Sequence, residues 1–262
     1  MLSVKKLFIV DITDCLYHQW NIEDRPLIIN DSFIYRFSNK ILSMADYYQS
    51  SHVVAVADAK KSWREEIIND YSFHGKKIPF DLQKTLGSVD KILKEANWYP
   101  ILRKKNLEAT DIIWRIIKST KNKKSLVKKV ISSDMRLLSW IGDDMELESY
   151  FVKYEVERIK DKEWLAFRMG IEPSQVSDFL SLSGYKEKNI HGVSGIGPKK
   201  SKFLLNRFGT LENIIQNVDQ IKGQLGLLVE EYKKALENKN ILLGKKNIDL
   251  KMSFKDIKII NK

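Results

Sequence analysis

Asp11, Asp58 and Asp134 each close a short apolar run, KLFIVD, HVVAVAD and LVKKVISSD, and Glu108-Ala109-Thr110-Asp111 opens a helical pattern before the last of them. A single strand-ending aspartate is ordinarily a turn former or helix cap, and acids in a first helical turn answer the helix dipole. Glu108 and Asp111 lie three apart and therefore share a helical face. Five carboxylates at one edge would repel one another unless cations neutralised them. With no Cys or His cluster beside them, such hard oxygen ligands select Mg²⁺ or Mn²⁺ over zinc. A cation held there generates hydroxide, polarises a phosphoryl oxygen and stabilises a leaving oxyanion, which is the chemistry of phosphodiester hydrolysis. Asp14, Asp143 and Asp144 lack this placement and read as surface or turn residues, and His18, His52, His74 and His191 are too scattered to form a set.

Those acids need a sheet to bring them together. The three runs, with Trp98 to Leu102 (WYPIL) as a fourth, alternate with helical pattern through the first 140 residues, as buried parallel strands do. In an open α/β sheet, sites gather beyond the carboxyl ends of the strands, so Asp11, Asp58 and Asp134 are expected to converge. The expected fold is α/β, a central mainly parallel sheet flanked by helices, with Tyr150 to Val156 (YFVKYEV) as a late strand.

A second chemical element is Gly192-Val193-Ser194-Gly195-Ile196-Gly197-Pro198-Lys199-Lys200. Glycine permits positive φ and close approach to the main chain. Pro198 suits the first turn of a helix running to Phe208, whose free N–H groups would face an anion, with Lys199 and Lys200 adding charge. Taken alone the run is also compatible with a plain tight loop. The formal charge of +11, from 45 Lys and Arg against 34 Asp and Glu, favours a polyanion. The basic residues cluster at Lys60, Lys61, Arg64, Lys76 and Lys77, at 118–129 and at 186–202. One cysteine, Cys15, excludes an intrachain disulfide, and the apolar run Leu7 to Val10 is too short to span a membrane, so a cytoplasmic location is expected.

FIVDIT around Asp11, AVADAKKSWREEIINDY, LEATD, VISSD and GVSGIGPKKSKFLLNRFGTLENI together resemble the 5′-nuclease family from about Lys6 to Ile248. That family comprises flap endonucleases, the 5′-nuclease domain of bacterial DNA polymerase I and, closest in size, bacterial exonuclease IX. The resemblance implies a Mg²⁺-dependent (or Mn²⁺-dependent) 5′-nuclease acting as a monomer on branched, flap or 5′-ended DNA. It implies a nuclease domain over 1–160 with a helical arch at about 60–96, and a helical DNA-binding region over 161–262 with a helix-three-turn-helix module at about 176–216. By the same resemblance Asp11, Asp58 and Glu108 form the first metal site, Asp111 stands beside it, Asp134 serves the second, and Arg64 engages substrate near the scissile phosphate. The carbonyls of Gly192, Val193 and Ile196 would hold K⁺, and Lys60, Lys61, Arg64, Gly192, Gly195, Gly197, Lys199 and Lys200 would contact DNA.

The chain departs from the family pattern at Thr110, where an acid would bridge two metals, and at Arg136, where a second aspartate would follow Asp134. Tyr185-Lys186-Glu187-Lys188 replaces an Asp-x-x-Asp, and Ser72 stands where the arch offers a lysine. A second metal site is expected to be empty or to fill only with substrate. The alternative reading is a branched-DNA-binding protein that keeps the fold and has lost most catalysis.

Overall fold

The computed structural model describes residues 4–23, 29–71, 80–121, 123, 125–150, 159–217, 227–245 and 247–259. Its five-stranded sheet runs β2-β1-β3-β4-β5, with β1 Lys5–Asp11, β2 His52–Val56, β3 Leu126–Ile131, β4 Met145–Glu148 and β5 Ile159–Lys160. The first four are parallel and β5 is antiparallel to β4. A parallel sheet covered on both faces needs apolar residues in both pleat directions. In β1, Leu7 and Ile9 enter one core with Val54, Val56 and Val130, while Phe8 and Val10 enter a second with Val53 and Ala55. The first core is covered by α4 Ala109–Thr120, the second by α1 Ile12–Ile22, α2 Asp31–Tyr47 and α3 Phe80–Glu95.

The expected α/β fold is present, with local differences. Trp98 to Leu102 is not a strand. Pro100 removes a ladder donor, and only Leu102 pairs with Val56, its N–H donating to the Ala55 carbonyl. The short β4, MELE, carries two acids and gave no apolar run to detect. Residues 151–158, which hold most of the late-strand candidate, lie outside the described residues, as do Ser72, His74, Lys76 and Lys77 of the proposed arch.

The second half is helical, with α5 Lys162–Arg168, α6 Val176–Ser183, α7 Pro198–Phe208, α8 Leu211–Gln216 and α9 Leu227–Leu242. Buried Asp178 of α6 joins two neighbours, accepting from Leu211 N at 2.9 Å and pairing with Lys239 at 2.6 Å. No described helix is long and apolar enough to cross a membrane.

The tail returns to the sheet edge. Val53 N donates to the Ile257 carbonyl at 2.8 Å, Ile259 N donates to Ser51 at 3.0 Å, and the Phe254 ring stacks on His52 with centroids 4.0 Å apart. Burial, and then Lys5, Lys258 and Lys123, push the His52 pKa below its ordinary value. A histidine depressed in the folded state contributes stability that is complete above its unfolded pKa, about 6.5, and is lost as pH falls. Thermal unfolding of the parent should therefore lose more stability between pH 8 and pH 5 than that of His52→Gln. Parallel pH dependences would contradict this placement of the imidazole.

Candidate active site

The carboxylates arrive where strands end. Asp11 closes β1 and caps α1, its Oδ1 accepting from Asp14 N at 3.1 Å. Asp58 lies two residues beyond β2, and its Oδ1 accepts from Ala109 N at 2.7 Å, tying it to the start of α4. Asp134 caps the 3₁₀ turn Met135–Trp140. Glu108 caps α4 in a reciprocal box with Asp111. Asp11, Asp58, Glu108 and Asp134 line one cavity of about 570 Å³ together with Asp14, His18, Thr110 and Lys188. Asp111, the fifth acid of the expected set, does not line it.

Behind this wall lie two arginines, both essentially without solvent contact. Arg64 donates from Nη1 to Glu108 Oε1 and to Asp111 Oδ2, each at 2.9 Å, from Nη2 to Asp111 Oδ1 at 2.8 Å, and from Nε to the Ile241 carbonyl at 2.9 Å. Arg136 donates from Nη2 to both Glu108 Oε2 and Asp134 Oδ2 at 2.5 Å, and from Nε to Asp134 Oδ1 at 3.0 Å. Glu108 Oε1 further accepts from Ser62 Oγ at 2.7 Å and from the Tyr71 hydroxyl at 2.8 Å. The Lys188 ammonium stands 3.6 Å from Glu108 Oε2. Burial alone would raise the Glu108 pKa, but Arg136, then Arg64 and Lys188, outweigh it and hold the carboxyl well below the usual range. The same contest, won chiefly by Arg136, depresses Asp134.

The structure places three of these residues differently from expectation. Arg64 does not face a substrate surface, because its guanidinium is enclosed by Glu108, Asp111 and the end of α9. Asp111 lies behind the cavity as an ion-pair partner of Arg64, while Glu108 lines the cavity and pairs with both Arg64 and Arg136. Asp14 is part of the site. Ser133 donates to it from N at 2.8 Å and from Oγ at 2.5 Å, and His18 Nε2 stands 3.6 Å from Asp14 Oδ1. Burial alone would lower the His18 pKa, but Asp14 outweighs it and raises it. The sequence signal for this group was the spacing 11, 14, 18 along one helix face.

Charge counting separates the cavity into two halves. Glu108, Asp111 and Asp134 are balanced by Arg64, Arg136 and Lys188, whereas burial, then Asp58, Asp14 and Asp134, push the Asp11 carboxyl well above its ordinary pKa. Arg136 is seated between Glu108 and Asp134, and no group of three or more His, Cys, Asp or Glu among the described residues is placed to hold a metal ion. A single hydrated Mg²⁺, which keeps most of its waters and takes one or two carboxylates, does fit Asp11 and Asp58. The departures from the family pattern fill the other half: Thr110 Oγ1 donates to Asp134 Oδ2 at 2.8 Å, and Tyr185 places its hydroxyl 3.4 Å from Asp134 Oδ1.

The glycine run forms a turn against α6, with Val193 N donating to the Leu182 carbonyl at 2.8 Å and Ile196 N to Val193 at 3.0 Å. Gly195 adopts φ +71°, while Lys200 Nζ donates to its carbonyl at 2.8 Å. A Cβ on Gly192 would meet the Leu182 carbonyl at 2.4 Å, so this glycine is required by packing; a Cβ on Gly197 would meet open space. Lys60, Lys61 and Lys199 are exposed.

Removing one partner of a buried ion pair strands the other charge, at a cost of about 3–5 kcal/mol. Arg136→Met should lose stability of that order in denaturant unfolding because Glu108 and Asp134 would lose their shared cation. A loss under about 1 kcal/mol would show that the pairing is not maintained in solution.

The model of the 5′-3′ exonuclease N-terminal resolvase-like domain matches residues 6–169, and that of the 5′-3′ exonuclease C-terminal SAM fold matches residues 171–262. The chain is 28% identical over 261 residues to a 5′-3′ exonuclease of Aquifex aeolicus (strain VF5), covering 98% of this chain and 87% of that protein. It is 26% identical over 226 residues to Flap endonuclease Xni of Vibrio campbellii (strain ATCC BAA-1116), covering 85% and 84%. Its fold is shared with T5 5′-exonuclease solved with bound zinc, at a TM-score of 0.75 and 18% identity over 91% of this chain and 89% of that one. One match takes in the sheet with its carboxylates and the other the helices with the glycine turn, and the chain belongs to the 5′-3′ exonuclease family of nucleases acting on DNA.

Proposed function

We propose that this protein is a single-metal 5′-nuclease, monomeric, that hydrolyses phosphodiester bonds of branched, flap or 5′-ended DNA. The observation that carries the reading is the Asp11 and Asp58 pair, which lines the cavity while the other acids are neutralised by built-in cations. Mg²⁺ or Mn²⁺, if bound there, would supply Lewis-acid activation of water and charge neutralisation at the phosphoryl group. Asp11 and Asp58 would hold the cation, Asp14 and Ser133 brace the wall beside them, and the arginine network fixes Glu108 and Asp134. In the reaction a water oxygen bonds phosphorus, one P–O ester bond breaks, the water loses its proton and the departing oxygen gains one.

The duplex is held elsewhere. The Gly195 to Gly197 turn and Lys199, Lys200, Lys60 and Lys61 contact phosphates, with K⁺ held by the carbonyls of Gly192, Val193 and Ile196 as in the family pattern. Recognition is by phosphate position and shape, without base readout.

A labelled 5′-flap substrate with Mg²⁺ tests the reading. The parent should cleave it, and Asp58→Ala should be slower by about 100-fold or more while binding the flap normally. Tight flap binding without cleavage by either protein would favour the DNA-binding alternative. At the turn, Gly197→Leu should fold normally and bind duplex more weakly, and Lys199→Ala should reduce the slope of log K against log salt by about 0.9. Unchanged affinity in both would reduce the turn to a structural loop.

A further inference from the structure

Two cations occupy positions where the family pattern has acids, and they differ in what they face. The Arg136 guanidinium is sealed from solvent, its donors committed to Asp134, Glu108 and the Tyr71 hydroxyl, and it does not line the cavity. Lys188 does line it, on the same wall as Asp11, Asp58, Glu108 and Asp134. Its ammonium lies 3.6 Å from Glu108 Oε2, which also accepts from Arg136 at 2.5 Å, and its charge helps hold the Asp134 carboxyl low. A lysine ammonium carries three donors on a flexible stem, so it can contact a second anion while keeping its ion pair.

The backbone around Lys188 is held from both sides. Lys188 ends a single 3₁₀ turn, Lys186–Lys188. Before it, the Tyr185 hydroxyl accepts from Met135 N at 3.3 Å and reaches toward Asp134. After it, Asn189 takes a left-handed conformation and donates from Nδ2 to the carbonyl and carboxylate of Asp70, at 3.0 and 2.8 Å. A cation whose backbone is held this way at a cavity wall stabilises charge developing on a phosphoryl oxygen better than one in bulk solvent.

We propose that Lys188 is a further catalytic residue, whose ammonium contacts a non-bridging oxygen of the scissile phosphate and supplies positive charge in a cavity that admits one metal ion. This rests on the nuclease reading above, deepening it by one residue. In the reaction the lysine stays protonated and no bond to it forms or breaks; it offsets the charge gained by the phosphoryl oxygens.

The experiment has two arms, using the full chain and a 5′-flap DNA. In the first, single-turnover cleavage in Mg²⁺ is compared for the parent, Lys188→Met and Lys188→Arg. The Met variant should be slower by about 100-fold, with the Arg variant recovering part of the rate. In the second, without metal, binding is compared for flap DNA carrying either a normal phosphate or an uncharged methylphosphonate at the scissile position. The methylphosphonate should weaken binding by the parent about tenfold and leave Lys188→Met nearly indifferent. Should the Met variant fail to fold, Lys188→Gln takes its place in both arms. Equal methylphosphonate sensitivity in parent and variant overturns the contact, whatever the rates, since a rate loss would then act through Glu108. Rates within threefold of each other overturn the catalytic role. If the parent itself cleaves nothing in Mg²⁺ or Mn²⁺, the nuclease reading fails, and with it the catalytic role, while the second arm still decides whether the lysine touches phosphate.

Discussion

Arg136 bridges Glu108 to Asp134, and Arg64 bridges Glu108 to Asp111, all five groups being buried. Bringing such charges out of water costs several kcal/mol per ion, offset only if every donor and acceptor finds a partner at good distance. Here the partners come from distant parts of the chain: Ser62 and Tyr71 beyond β2, Thr110 on α4, Tyr185 beyond α6 and the Ile241 carbonyl on α9. The network therefore joins the sheet edge to the helical half. Helix α9 leaves Ile241 on Arg64 and, near its other end, extends Glu231 to Ser194 N of the glycine turn at 3.0 Å. One helix thus touches both the arginine network behind the carboxylate wall and the glycine turn.

The same ion pairs decide what metal chemistry is open to the site. A paired-metal clamp holds both attacking and leaving oxygens between two cations. Here guanidinium charge already stands between Glu108 and Asp134, and the proposed single divalent ion is assigned to Asp11 and Asp58 on that ground. The protein carries its other positive charge covalently, as arginine and lysine.

Much of this was legible in the sequence, for definite reasons. Apolar runs that end in aspartate report both a buried parallel strand and the edge to which it delivers a carboxylate, which placed Asp11, Asp58 and Asp134 together. Local pattern could not show where long side chains fold back. Arg64 reads as a basic residue in a basic cluster, and only the tertiary structure turns it inward onto Asp111. Asp14 was passed over because it follows a strand end by three residues, and its role depends on Ser133 arriving from the next strand but one in the chain. The run WYPIL has the composition of a strand, but Pro100 denies it the ladder.

Metal stoichiometry tests the central claim most directly. Mn²⁺ titration of the free protein, followed by electron paramagnetic resonance, should saturate at one ion per chain, and Asp11→Asn or Asp58→Asn should abolish the site while Asp111→Asn leaves it occupied. Saturation at two ions in the parent, or loss of binding in Asp111→Asn with the fold intact, would contradict the assignment of the arginine network as the occupant of the second position.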